Sequence, residues 1–285
     1  MNAGRCVIPD YMEGGEGKPL IFIPGMEGAK EFWEPQLRGL SDAYCVIATS
    51  LPVWKPCLAS AVSDCAGSII SLMDELGLEK AVVVGESFGG MVTQELALSH
   101  PQRLAGIILC NTMDRPRRGG FGANVFTLAT FIHQFAFLPF LSMDQRRSLL
   151  RWVGRHRGFV LDPSHGNADL VEYLIRYGTA CGPAAYLDRI IAGAKASFTS
   201  RLREINVPAL VLRGEEDRLV GAETIVQLAG RIPHADLVVI AGGGHCCTHT
   251  VPEASNAAMR EWLRSIGYYG APPSRQDANP YTGIT

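Results

Sequence analysis

A serine stands between two glycines at residues 85–89, which read Gly-Glu-Ser-Phe-Gly. The apolar run before it, residues 81–84, predicts a buried strand, and residues 91–98 after it have the composition of a helix. G-x-S-x-G between a strand and a helix is the pattern of a nucleophile elbow, a sharp turn whose small neighbours leave the serine hydroxyl accessible. We therefore predict that Ser87 is a nucleophile, the alternative being an ordinary glycine-rich turn.

A serine hydroxyl is a weak nucleophile until a general base takes its proton, so a histidine and an orienting acid are expected elsewhere in the chain. Asp217 follows an apolar strand predicted at residues 208–212. His245 follows a second predicted strand at residues 235–240 and a run of three glycines. Both side chains thus lie on loops after strand ends, and we predict that Ser87, His245 and Asp217 form a catalytic triad.

Each assignment has an alternative. Asp217 could cap the helix that follows it, since aspartate is a favoured N-cap residue. Glu215 and Glu216 supply further acids on the same loop, and His249 is a secondary candidate for the base.

The chain order serine, aspartate, histidine resembles that of the α/β-hydrolase fold superfamily. The resemblance extends over residues from about 18 to 266, and residues 20–26 match the strand and oxyanion loop of that family. It implies a lid-containing, esterase-like serine hydrolase that forms an acyl-serine intermediate and uses no cofactor and no metal. In some relatives the acid follows the preceding strand, which makes Asp114 the alternative to Asp217.

The resemblance also implies an oxyanion hole, in which backbone N–H groups stabilise the negative oxygen of the transition state. The matching donors in this chain are the amides of Met26 and Phe88. The oxyanion loop begins Pro24-Gly25 where the family usually has His-Gly, so the imidazole that commonly braces this loop is missing.

Periodicity and chain breakers predict an α/β fold with a mostly parallel central sheet flanked by helices. Strands are expected near residues 20–24, 44–48, 81–85, 105–110, 208–213 and 236–241, with another near 5–9, and helices near 59–76, 88–99, 221–230 and 252–265. The gap after the fourth of these strands is too long for a simple loop. We predict a hydrolase core over residues 1–112 and 204–266, a helical lid inserted at 113–203, and a C-terminal tail at 267–285.

The predicted lid contains an unusually apolar stretch, residues 125–141, which is too short and too interrupted for a convincing membrane span. Its side chains could pack only against the core, or they could also line a pocket for an apolar group. On the second interpretation we expect Trp54, Phe131 and Phe135 to contact a small, largely apolar ester or acyl substrate.

Composition restricts the remaining possibilities. A net charge of −2 over 285 residues gives no electrostatic case for nucleic acid as a partner, and no zinc-ligand spacing or phosphate-binding loop occurs. Eight scattered cysteines and the lack of an apolar run at the start of the sequence favour reduced thiols in a cytoplasmic enzyme, without a transmembrane segment, as a monomer or homodimer.

The triad pattern is shared by several reactions, so the bond that is cleaved stays open. An ester is the first expectation. The alternatives are a C–C bond hydrolase, a thioesterase or acyltransferase of the same fold, and a slow-turnover ligand receptor.

Overall fold

The structure is a computed structural model that describes residues 7–53, 62–116, 140–157 and 167–269. The three residues predicted to line the substrate pocket, Trp54, Phe131 and Phe135, lie outside this part of the chain. So do most of the apolar stretch at 125–141 and residues 270–285 of the predicted tail.

Strands of the described residues form one sheet. Their bounds are β1 Tyr11–Gly14, β2 Lys18–Ile23, β3 Tyr44–Thr49, β4 Ala81–Glu86, β5 Leu104–Cys110, β6 Ala209–Gly214 and β7 Ala235–Ile240. The sheet has the order β1-β3-β2-β4-β5-β6-β7. β1 is antiparallel to β3, and every other pair of neighbours is parallel. The predicted mostly parallel sheet is confirmed.

Helices connect and flank these strands. Their bounds are α1 Glu34–Leu40, α2 Val62–Glu75, α3 Phe88–Ser99, α4 Met143–Arg157, α5 Ala168–Tyr177, α6 Gly182–Lys195, α7 Ala222–Arg231, α8 Cys247–Thr250 and α9 Pro252–Ser265. The predicted helices near 88–99, 221–230 and 252–265 are found within one residue of those bounds.

The inner strands are apolar at consecutive positions because both faces of the sheet are covered. Ile21 and Ile23 of β2 point to the side covered by α2, α3 and α7. Leu20 and Phe22 point to the other side, where α1 and α9 pack. Two apolar layers therefore hold the carboxyl ends of the parallel strands at one edge of the sheet, and the loops that carry the candidate residues leave from this edge.

One strand lies later in the chain than predicted. A strand was expected near residues 5–9, but Val7 and Ile8 are exposed and outside the sheet, and the first described strand is Tyr11–Gly14. Pro9 has no N–H to donate to a neighbouring strand, so pairing with β3 begins after it, with Tyr11 opposite Thr49.

Helices α4, α5 and α6 lie between β5 and β6, in the segment predicted to be a lid. Helix α6 packs against α2 and α3, and α5 packs near α8. The division into core and lid stays a prediction. None of the helices in the described ranges is both long and apolar enough to cross a membrane.

Candidate active site

Ser87 occupies the turn between β4 and α3. Its φ of 53° and ψ of −112° are unusual for a residue with a side chain, and strain of this kind concentrates at functional sites. The turn is held by its main chain, since Ser87 N donates to Cys110 O at 2.9 Å and Ser87 O accepts from Thr112 Oγ1 at 2.6 Å. Ser87 remains partly exposed although the residues on both sides are buried. This is the geometry expected of a presented nucleophile.

The two glycines of the motif are required by close packing at this turn. A methyl group on Gly85 would overlap the carbonyl oxygen of Gly89 and the hydroxyl of Thr93 on α3. A methyl group on Gly89 would overlap the carbonyl oxygen of Ile23 on β2. Only glycine lets the strand, the turn and the first helical turn approach this closely.

His245 and Asp217 form a buried pair on two neighbouring loops. The distance from His245 Nδ1 to Asp217 Oδ2 is 2.9 Å, and their side chains are 4% and 0% exposed. Asp217 follows β6 and His245 follows β7, so the two loops leave the same edge of the sheet as the turn that carries Ser87. A carboxylate accepts the Nδ1 proton, which leaves Nε2 of the imidazole as the hydrogen-bond acceptor.

The other oxygen of Asp217 organises its own loop. Asp217 Oδ1 accepts from Leu219 N at 2.8 Å and from Val220 N at 2.9 Å. Helix α7 begins only at Ala222, with Gly221 at its N-cap position, so Asp217 braces a turn ahead of the helix instead of capping it. The main-chain donors fix the carboxylate so that its second oxygen faces His245.

The alternative acid and base have other partners. The buried carboxylate of Asp114 accepts a hydrogen bond from the Thr199 hydroxyl and lies 3.8 Å from Arg231. His249 Nδ1 lies 2.8 Å from Phe32 O, and its ring stacks on that of Phe32. Burial lowers the pKa of His249, which favours its neutral form. Asp217 and His245 are thus the acid and histidine that the structure brings together.

The two residues predicted to supply oxyanion donors belong to segments next to Ser87. Phe88 is the first residue of α3, where an amide has no acceptor within the helix. Met26 lies in a turn closed by the hydrogen bond from Gly28 N to Gly25 O, 3.1 Å long. A methyl group built on Gly25 would be 3.6 Å from Ser87 Cβ, so this turn lies directly against the serine.

A buried carboxyl group beneath these residues was not predicted from the sequence. Glu86, the residue before Ser87, accepts from Asn111 Nδ2 at 3.0 Å and from Thr248 Oγ1 at 2.8 Å. Asn111 Oδ1 in turn accepts from Gly214 N at 2.8 Å. The network ties the serine turn to the end of β6 and to the helix that begins two residues after His245. The sequence did contain one indication of this group, an acidic residue at the end of a predicted buried strand.

These charges act on His245. Burial alone would lower its pKa, but the hydrogen bond that His245 donates to Asp217 and the negative charge of Asp217 raise it. The net result is a pKa above the ordinary value of 6.5. Burial also raises the pKa of Glu86, to about 8, and that of Glu27. Among the described residues, no cluster of three or more His, Cys, Asp or Glu side chains is arranged to hold a metal ion.

The raised pKa of Glu86 predicts a specific dependence of stability on pH. The folded protein binds a proton at Glu86 that the unfolded chain releases near pH 4.5, so this group's stabilisation is present below that pH and is lost as the pH rises through about 8. Each unit of pKa difference corresponds to about 1.4 kcal/mol. Glu86→Gln replaces the carboxyl group with a neutral amide of similar size that does not titrate, and should lose less stability than the wild type between pH 5 and 9.

Urea unfolding of both proteins across this range measures the effect. Titrations elsewhere in the protein cancel in the difference between the two curves. Glu75→Gln, which changes an exposed carboxylate at the end of α2, is the matched control and should follow the wild type. Parallel curves for wild type and Glu86→Gln would contradict the assignment of a neutral Glu86.

Comparison with known proteins agrees with this architecture. A family model described as alpha/beta hydrolase fold matches residues 18–249. A protein named "Putative carbamate hydrolase RutD", from Caulobacter sp. (strain K31), is 31% identical over 264 residues, which cover 86% of this chain and 90% of the relative. The (E)-2-((N-methylformamido)methylene)succinate hydrolase of Acinetobacter baylyi is 25% identical and covers 90% of this chain and 94% of its own length.

Among solved structures, a thermophilic esterase from Thermogutta terrifontis superimposes with a TM-score of 0.71 at 25% identity, covering 90% of this chain and 93% of the esterase. The family match spans most of the chain, and it includes the strand before Met26 and the loops of Ser87, Asp217 and His245. The protein therefore belongs to the α/β-hydrolase fold family and is a hydrolase.

Proposed function

We propose that the protein is a serine hydrolase that cleaves an acyl bond of a small, largely apolar substrate through an acyl intermediate on Ser87. The observation that carries this proposal is the buried His245–Asp217 pair, 2.9 Å apart, at the sheet edge where Ser87 stands in a strained turn. A nucleophile, a base and a group that orients the base are the three parts that acyl transfer requires.

In the first half of the reaction, Ser87 Oγ attacks the carbonyl carbon of the substrate and its proton passes to His245 Nε2. Asp217 stabilises the imidazolium that forms. The tetrahedral intermediate then collapses, the bond to the leaving group breaks, and the leaving group takes the proton from His245. The acyl group remains on Ser87.

Water completes the cycle. His245 takes a proton from the attacking water, a second tetrahedral intermediate forms, and the bond to Ser87 Oγ breaks as His245 returns the proton to it. In both halves the negative oxygen is stabilised by the amides of Met26 and Phe88. Removing one such donor typically lowers the rate about 100- to 1,000-fold.

An ester is the substrate class we propose first, since an alkoxide is the easier group to expel. The relatives favour a second candidate, a carbamate or N-acyl compound cleaved at a C–N bond, because their names describe such substrates. The same triad serves both, and the difference lies in whether the leaving nitrogen is protonated by His245. The segment at 113–203, with Phe131 and Phe135, and Trp54 near the entrance are proposed to enclose the apolar part of the substrate.

Rapid-quench mass spectrometry tests the acyl intermediate. Mixed with p-nitrophenyl esters from acetyl to decanoyl, the protein should release a burst of p-nitrophenol equal to its own concentration and gain the mass of the acyl group on the peptide that contains Ser87. A parallel series of p-nitroanilides with the same acyl groups distinguishes the two candidates, because these compounds release p-nitroaniline by cleavage of a C–N bond, and faster turnover of the anilides would favour the second. Absence of both burst and adduct across the two series would contradict the proposal and favour the receptor alternative.

A further inference from the structure

Arg189 is a buried cation that the proposed chemistry does not use. It lies on α6, within the segment inserted between β5 and β6, and is only 4% exposed. Burying a guanidinium is costly unless its N–H groups are hydrogen-bonded. The groups that accept these hydrogen bonds therefore indicate the role of Arg189.

Its guanidinium donates three hydrogen bonds to main-chain carbonyls at one edge of the candidate site. Arg189 Nη1 donates to Met26 O at 2.9 Å and to Glu27 O at 3.0 Å, and Nη2 donates to Leu51 O at 3.2 Å. These carbonyls belong to two loops that follow neighbouring strands, β2 and β3. A planar guanidinium with several donors in a fixed fork can hold both loops at once.

Two main-chain hydrogen bonds also hold the turn that Arg189 contacts. Gly28 N donates to Gly25 O at 3.1 Å, and Leu51 N donates to Gly28 O at 2.8 Å. Gly28 has a φ of +76°, and any side chain there would overlap the guanidinium. The backbone of this turn thus takes a conformation suited to glycine, and Arg189 occupies the space that the missing side chain leaves.

We infer that Arg189 is a positioning residue for the oxyanion-binding turn. It acts through Met26: with the carbonyls of Met26 and Glu27 held, the two peptide planes that follow Met26 cannot rotate freely. The plane before Met26, which carries the Met26 N–H, is held by the bond from Gly28 N to Gly25 O, so the amide keeps its direction beside Ser87. This inference rests on the proposed function, in which that amide is an oxyanion donor.

The same helix also contacts the second proposed donor. Gly193, one turn after Arg189, lies beside the ring of Phe88, where a methyl group on the glycine would be 3.5 Å from Phe88 Cδ2. Helix α6 therefore touches both residues whose amides would bind the oxyanion. The placement of the inserted segment and the geometry of the oxyanion hole are coupled through it.

Arg189→Met tests the inference, because methionine keeps an apolar stem and removes the three hydrogen bonds. Misplacing a reacting group by about 1 Å can cost about 100-fold in rate. We expect kcat per titrated active site to fall about 10- to 100-fold with KM nearly unchanged, and a boronic acid that forms a tetrahedral adduct on Ser87 to bind more weakly by a similar factor. A lysine at this position reaches fewer carbonyls at once, so the kcat and boronic acid affinity of Arg189→Lys should lie between those of the wild type and Arg189→Met.

Arg176→Met is the matched control. Arg176 is an exposed cation on α5 that pairs with Glu172 at 2.7 Å, so its loss should change neither kcat nor boronate binding by more than about twofold. Unchanged kcat and boronate affinity in Arg189→Met, or a loss confined to KM, would overturn the inference. If the methionine variant does not fold, Arg189→Lys decides by the same two measurements.

Labelling of Ser87 by a fluorophosphonate distinguishes a failure of the role inferred for Arg189 from a failure of the proposed function. If the wild type is labelled but the Arg189 variants have its kcat and its affinity for the boronic acid, the role of Arg189 is overturned and the proposed function is retained. A wild type that neither reacts with the label nor binds the boronic acid would overturn both.

Discussion

Ser87→Ala is expected to lower kcat about a million-fold, to the level set by binding and the oxyanion donors alone. Alanine removes the oxygen that is proposed to attack the carbonyl carbon. The main-chain bonds that hold the turn, from Ser87 N to Cys110 O and from Thr112 Oγ1 to Ser87 O, involve no atom of the serine side chain. The fold should therefore survive, and KM or ligand affinity should change little.

Steady-state kinetics with the best p-nitrophenyl substrate, together with the burst measurement, checks this result. Ser99→Ala removes an exposed hydroxyl at the far end of the same helix and should retain full activity. If Ser87→Ala retains turnover, and this activity stays proportional to the amount of the variant at each purification step, another group is the nucleophile.

The sequence predicted those parts of the molecule that are determined by interactions between residues close together in the chain. Apolar runs such as residues 81–84 are strands because they are buried on both faces of a parallel sheet, and this burial leaves its mark on every residue of the run. The G-x-S-x-G turn is equally local, since both glycines are needed for contacts between elements adjacent in the chain or in the sheet. The positions of Asp217 and His245 after strand ends follow from the same pattern.

Contacts between distant residues could not be predicted in this way. Glu86 meets Thr248 across 162 positions of sequence, and Arg189 meets Met26 across 163. No periodicity or spacing records such a pairing, because its partners are chosen by the packing of elements and not by their neighbours in the chain. The family pattern identified a loop that lacks its usual histidine, but it gave no indication that an arginine from the inserted segment reaches that loop.

The acid of the site illustrates how the two kinds of information combine. The sequence predicted Asp217 as the acid and offered Asp114, Glu215 and Glu216 as alternatives. The structure distinguishes them by their partners: Glu215 accepts from Gly242 N at 3.1 Å, Asp114 is engaged by Thr199 and Arg231, and only Asp217 among these four is hydrogen-bonded to His245. The role of Asp217 in catalysis is open to a direct test.

Asp217→Asn is expected to lower kcat about 10,000-fold. Oδ1 of residue 217 accepts from Leu219 N and Val220 N, so an asparagine keeps its oxygen there and must place its NH₂ group beside His245 Nδ1. An amide donor at that point requires Nδ1 to be the acceptor, which moves the imidazole proton to Nε2. His245 then cannot accept the proton of Ser87, although the geometry of the site is unchanged.

Two further measurements separate this tautomer effect from a general loss of structure. The hydrogen bond and charge of Asp217 raise the pKa of His245, so Asp217→Asn should lower the pKa seen in an NMR titration of that ring. Asp114→Asn, the matched control, weakens a buried hydrogen bond with Thr199 and an ion pair with Arg231. It should lower the free energy of unfolding by about 1–3 kcal/mol and leave kcat per folded molecule within a few-fold of the wild type. The opposite result, with activity lost in Asp114→Asn and kept in Asp217→Asn, would identify Asp114 as the acid and reduce the contact between Asp217 and His245 to a structural one.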